Sequence, residues 1–213
     1  MLILTEQELR QAVSMSEAMM VVEEAFAALA RGEAQLPDVI SLEVPEVNGE
    51  FHVKGAHLQG NPFAVFKVAS GFWENPDRGL PVGTGLMMAF DATTGFPAAL
   101  LLDNGYLTDL RTGAAGGVAA NYLANPVIDK VAVICSGVQA RYQLRAVAGV
   151  RQIEGRVAVW SPNHDHAEAY AREMVAELGV DVGVAPNVEV ALRNADLVIT
   201  TTPSHQPLVE AGW

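Results

Sequence analysis

The stretch Ile134-Cys-Ser-Gly-Val-Gln-Ala140 closes an apolar run, Val131 to Cys135, and opens a helical pattern over Val138 to Val150. Buried strand, small-residue turn and helix in that order are the context a dinucleotide-binding loop requires. In the pattern G-x-G-x-x-G/A, Gly137 takes the second place, where backbone approaches a pyrophosphate. Ala140 takes the third, where helix packs on strand. Cys135 stands at the first, and its Cβ and sulfur crowd a turn that glycine normally makes. The acid expected about 20 residues on, which would hold an adenine ribose, is also missing. Trp160-Ser-Pro-Asn163 occupies that place, where Ser161 or Asn163 offers a ribose hydrogen bond. The lack of an arginine there favours NAD, with NADP as the alternative. Taken alone, Ser136, Gly137, Val138, Gln139 and Ala140 are either a nucleotide cradle or an ordinary βα turn.

Downstream, the pattern alternates: strand Val157–Trp160, helix His164–Leu178, strand Asp181–Val184, helix Val188–Asn194, strand Asp196–Thr200. Such alternation predicts a parallel sheet with crossover helices. Trp213 follows soon after the fourth strand, so about half of a six-stranded doubly wound domain is present: either the chain is a fragment truncated at its C-terminus, or something else completes the sheet. Upstream, Thr5 to Arg31 carries apolar residues near helical spacing, and Leu36 to Leu102 changes to short β-rich runs divided by Asn48-Gly49, Gly60-Asn-Pro62, Glu74-Asn-Pro-Asp77 and Thr93-Thr-Gly95. A mostly antiparallel sheet is expected there. Thr108 to Asn125 reads as a helix with Thr108 as N-cap, and Gly113 to Gly117 would let another backbone approach closely. The fold class expected is α/β: an N-terminal α+β domain over residues 1–125, then an incomplete Rossmann domain over residues 126–213.

Half of the 213 residues are hydrophobic, enough for a real core, and the formal charge is −12. Thirteen scattered basic residues argue against nucleic acid as a partner, since phosphate neutralisation needs clustered Lys and Arg. A single cysteine leaves no internal disulfide. The N-terminus lacks a basic leader, and no apolar run spans a bilayer, so no membrane partner and a cytoplasmic location are expected. Among five histidines, His164 and His166 head a helix without a third ligand, so no metal site is expected.

Five motifs in order resemble the ornithine cyclodeaminase/mu-crystallin family: Phe66-Lys-Val-Ala-Ser-Gly-Phe72, Asp91-Ala-Thr-Thr-Gly-Phe-Pro97, Leu101-Leu-Asp-Asn-Gly105, Leu107-Thr-Asp-Leu-Arg-Thr-Gly-Ala-Ala115 and Gly137-Val-Gln-Ala-Arg141. The resemblance implies a homodimer in which residues 1–125 form the substrate and dimerisation domain beside an inserted Rossmann domain, acting as ornithine cyclodeaminase, amino-acid dehydrogenase or ketimine reductase. The shared step is hydride exchange between a nicotinamide and the α-carbon of an amino or imino acid. By that analogy Lys67 lies at the reacting carbon, as a polarising cation or proton relay, and Arg111 grips the α-carboxylate with its two-pronged guanidinium. Lys54 is a further substrate-pocket candidate, and Thr84 and Thr201 fall at cofactor-contacting places. Lys67 also sits in an apolar run, Val65-Phe-Lys-Val68, where an unpaired ammonium is costly to bury.

Departures narrow the reading. Val39 stands where the family often has a second carboxylate-gripping arginine, which puts ornithine cyclisation in doubt, and the family's amine-binding aspartate would lie after Trp213. Val53-Lys-Gly-Ala56 and Asn104-Gly-Tyr-Leu-Thr108 resemble members linked with ectoine use and iminosuccinate reduction, which would suit a dicarboxylic imino acid. A catalytically silent NAD(P)H-binding protein, or an inactive fragment, is the alternative.

Overall fold

The computed structural model describes all 213 residues and divides into two compact units, Met1–Leu110 and Arg111–Trp213. The division falls inside helix α3 (Tyr106–Leu123), whereas the sequence pattern places a boundary after that helix, at 125/126.

In the first unit, β1 (Leu2–Thr5) leads into α1 (Glu6–Ala12) and α2 (Met15–Ala30). Each helix starts with a capping box: the Thr5 and Ser14 hydroxyls accept from the Glu8 and Glu17 amides, whose carboxylates accept in return from the Thr5 and Ser14 amides. There follow β2 (Ala34–Gln35), β3 (Ile40–Val44), β4 (Gly49–Leu58), β5 (Phe63–Phe72), β6 (Gly83–Asp91) and β7 (Pro97–Leu102). They form one sheet in the order β1-β7-β6-β5-β4-β2, with β3 also on β4; every pairing is antiparallel except β1 on β7.

Register sorts the side chains of this sheet, because residues directly opposite one another point to the same face. Lys54 lies opposite Lys67, Lys67 opposite Met87, and Met87 opposite Leu101, so these four share one face. The other face carries Ile40 and Val53, Leu42 and Phe51, then Phe66, Met88 and Leu100. Aromatic edge contacts join Phe51 to Phe72 and Phe66 to Phe90 there. Ile40, Leu42, Phe66 and Leu102 on that face remain exposed.

The second unit takes its sheet from β8 (Val127–Ile134), β9 (Gln152–Trp160), β10 (Asp181–Val184) and β11 (Leu197–Thr200), all parallel, in the order β10-β9-β8-β11. Helices α4 (Val138–Val150) and α5 (His164–Leu178) cover one face, burying Leu144, Val147, Tyr170 and Met174 against Val131, Val133, Val157 and Val159. Helix α6 (Val188–Leu192) covers the other, against Ala132, Ile134 and Ala158. Burial on both faces explains the near-continuous apolar strands. The glycines of α3 do what their size allows: a Cβ on Gly113 would lie 2.7 Å from the Cβ of Tyr142 on α4. No helix is long and apolar enough to cross a membrane.

Candidate functional site

The strand order places a crevice at the carboxyl ends of β8 and β11, where successive connections leave the sheet in opposite directions. In open α/β sheets this is where ligands bind. The loop after β8 fills it. Cys135 donates its amide to the Trp160 carbonyl (2.8 Å), and the Thr201 amide donates to the Ile134 carbonyl (3.2 Å). Cys135 has φ +103°, a region that favours glycine, so the chain bends there as the first glycine of the pattern would bend. Gly137 caps α4 with extended φ and ψ (−78°, −170°), and a Cβ built on it would meet nothing within 4 Å. The space before the helix is therefore open. Ala140 is fully buried, which suits the tight helix–strand contact expected of the third place.

Behind the loop lies a side chain that the sequence reading passed over. Arg141 Nη1 donates to the Ser136 carbonyl at 2.5 Å and to the Gly137 carbonyl at 3.1 Å. Its Nε pairs with Glu173 at 2.7 Å, and its guanidinium carbon lies 5.3 Å from the centre of the Tyr170 ring. Ser136 is buried, Val138 exposed and Gln139 half-buried. Thr201 Oγ1 is buried without any hydrogen-bond partner. Of the two ribose candidates, Ser161 is half-buried, and Asn163 caps α5 by accepting from the His166 amide at 3.1 Å, which leaves its NH2 and a second lone pair of Oδ1 for a ligand.

In the first unit, Lys54 and Lys67 stand directly opposite one another on β4 and β5. Cβ atoms so placed are about 5 Å apart, and like charges there cost stability. Lys54 is exposed and Lys67 half-buried. Near Lys67 lies Asp103, just beyond β7, only 1% exposed, with Oδ1 lacking a hydrogen bond. Burial pushes its carboxyl above the usual range, while the Leu107 amide and the Lys67 ammonium pull it back. Asp103 Oδ2 accepts that amide at 2.9 Å, so α3 starts earlier than expected: Thr108 is inside the helix and is not its cap. Asp103 was visible within Leu101-Leu-Asp-Asn-Gly105, but its burial beside a lysine 36 positions away in sequence was not. Thr84 is exposed on β6, and it is odd-spaced from Met87, so it points away from the lysine face. Arg111 is exposed on α3, one turn after Leu107.

The model of the ornithine cyclodeaminase/mu-crystallin family matches residues 1–213. The chain belongs to that family. Among solved structures, a Thermococcus litoralis Delta(1)-pyrroline-2-carboxylate reductase in complex with NADH and L-proline superposes with a TM-score of 0.94 at 36% identity, over 100% of this chain and 65% of the reductase. An archaeal alanine dehydrogenase dimer with bound NAD gives 0.90 at 39% identity, over 100% of this chain and 63% of that one. The iminosuccinate reductase of Paracoccus denitrificans in complex with NAD+ gives 0.83 at 26%, over 97% and 63%. The chain spans less than two thirds of the length of the curated relatives it matches. The α/β class, with a mixed sheet preceding a parallel one, matches the expectation from sequence.

Proposed function

We propose that this protein uses NAD(H) to exchange a hydride with the α-carbon of a small amino or imino acid. The observation that carries the reading is the loop at the β8/β11 crevice. A glycine-like bend at Cys135, open space before Gly137 and the orphaned Thr201 hydroxyl together fit a dinucleotide pyrophosphate and ribose. The nicotinamide, when bound, supplies or accepts the hydride. Ser136 to Ala140 present backbone to the pyrophosphate, Ser161 and Asn163 lie at the adenosine ribose, and Thr201 contacts the cofactor's other half. No arginine follows β9 to meet a 2′-phosphate, which favours NAD over NADP.

The residues on the first sheet prepare the substrate. Two lysines facing each other repel, and a carboxylate between them turns that cost into attraction. Lys67 polarises the imine or carboxylate and relays the proton at the substrate nitrogen. Asp103, buried beside it, attracts the ammonium and holds it in place, while burial raises the carboxyl and the lysine pulls it back. Arg111 grips the α-carboxylate in the bidentate way that only a guanidinium offers. Lys54 then suits a second carboxylate, so a dicarboxylic imino acid is the preferred substrate.

A homodimer belongs to the same proposal. The second face of the first sheet exposes Ile40 (67%) and Leu42 (60%) beside Phe66 and Leu102, an apolar surface that a second copy would cover. The similar alanine dehydrogenase is a dimer.

Titration of NADH fluorescence followed by turnover with iminosuccinate, pyrroline-2-carboxylate and ornithine tests the reading. NADH should bind, and iminosuccinate should turn over fastest. Turnover of ornithine alone would overturn the substrate assignment. NADH bound without turnover of any amino or imino acid would make the protein a silent binder.

A further inference from the structure

The loop that receives the cofactor has an unusual anchor. Cys135 adopts φ +103° without the freedom of glycine, so this bend is not held by intrinsic preference. Something else must hold the loop in its binding shape. Arg141 reaches back from the first turn of α4 and donates from one nitrogen to two successive carbonyls, those of Ser136 and Gly137. A trans peptide unit points its N–H opposite to its C=O. With both carbonyls tied to the guanidinium on one side, the amides of Gly137 and Val138 point to the other, and a Cβ on Gly137 would meet nothing within 4 Å.

We infer that Arg141 is a positioning residue for the dinucleotide: it touches no ligand, and it aims the Gly137 and Val138 amides at the pyrophosphate from behind the loop. The inference rests on the proposed use of NAD(H). The guanidinium is itself braced. Glu173 takes its Nε at 2.7 Å, and the Tyr170 ring lies beneath it with its hydroxyl donating to the Ala140 carbonyl at 3.3 Å. Helix α5 is thereby coupled to the amides that meet the cofactor. The neighbouring Arg145 provides a built-in control. It pairs with the same Glu173 (3.3 Å) and with Glu177 (2.7 Å), yet the loop carbonyls are bonded by Arg141.

Arg141→Gln, Arg141→Lys and Arg145→Gln, compared with the parent, test this by NADH fluorescence titration, steady-state kinetics and thermal melting. Arg141→Gln should raise the Kd and KM for NADH about tenfold, the scale of losing hydrogen bonds to a charged group. The kcat and the KM for the imino acid should hold within about twofold. Arg141→Lys, whose single ammonium lacks the planar fork, should raise the NADH Kd about threefold and decides the matter if the glutamine variant does not fold. Arg145→Gln should lower the melting temperature as much as Arg141→Gln does while leaving the NADH Kd unchanged. Parent-like NADH affinity in both Arg141 variants, or an equal loss in Arg145→Gln, overturns the inference while the proposed function stands. A parent protein that binds no NADH overturns both.

Discussion

Replacing Cys135 with glycine should stabilise the protein. Its φ of +103° lies where non-glycine residues are strained by about 1–3 kcal/mol. Glycine relieves that strain but gives the unfolded chain about 0.4–1 kcal/mol more entropy to lose. The difference is a net gain of about 1 kcal/mol. For a chain of 213 residues, that corresponds to a melting-temperature rise of about 2–4 °C. Alanine is the informative comparison. Cys135→Ala removes the sulfur but keeps the Cβ, hence the strain, and should gain nothing. Differential scanning calorimetry of the two variants beside the parent measures the contrast. Equal melting temperatures for the glycine and alanine variants, or a fall for Cys135→Gly, would refute the claim that Cys135 occupies a glycine position under strain.

Three further outcomes follow from the geometry. The buried Asp103 carboxyl binds its proton more tightly folded than unfolded, so its stabilising contribution is complete below the unfolded value near 3.9 and is lost as pH rises through the folded value. Urea unfolding of Asp103→Asn should therefore show a stability advantage over the parent that grows from pH 4 to pH 7, while kcat falls about 100-fold, within the range of acid–base catalysis; an advantage that shrinks with pH contradicts the burial argument. Thr201→Val removes a buried hydroxyl with no protein partner, so the free protein should melt no lower and NADH should bind several-fold more weakly; unchanged NADH affinity would remove Thr201 from the cofactor site. Leu42→Glu places a charge on the exposed apolar face and should give a monomer by light scattering after size exclusion, where an unchanged mass would mean that this face is not the dimer contact.

Much of this architecture was legible because local chemistry and tertiary role agree. Helix α5 runs from His164 to Leu178 as the pattern predicts, since Asn163 caps one end and Gly179, at φ +68°, closes the other. The β-α-β alternation likewise forecast the parallel order, because apolar runs of strand length between amphipathic helices have few other ways to pack. What stayed hidden depends on distance along the chain. Strand β1 has four residues, too few for alternation to register, and exists through its pairing with β7. The start of α3 was misplaced because the capping group is the Asp103 side chain on the far side of Asn104-Gly105, while Thr108 had the right chemistry and the wrong position. Lys54 and Lys67 were each named from sequence, yet their opposition follows from the register of a hairpin. Arg141 stands within the Gly137-to-Arg141 motif, but nothing in the letters says that its guanidinium turns back onto the Ser136 and Gly137 carbonyls.

The proposed function is a hydride exchange at an α-carbon. Mass spectrometry of the amino acid formed from iminosuccinate and NADH carrying deuterium at both nicotinamide C4 positions tests it directly. One deuterium should appear at the α-carbon in the parent, and Lys67→Met should lose the product. Product formed without deuterium at the α-carbon, or formed equally well by Lys67→Met, would contradict it.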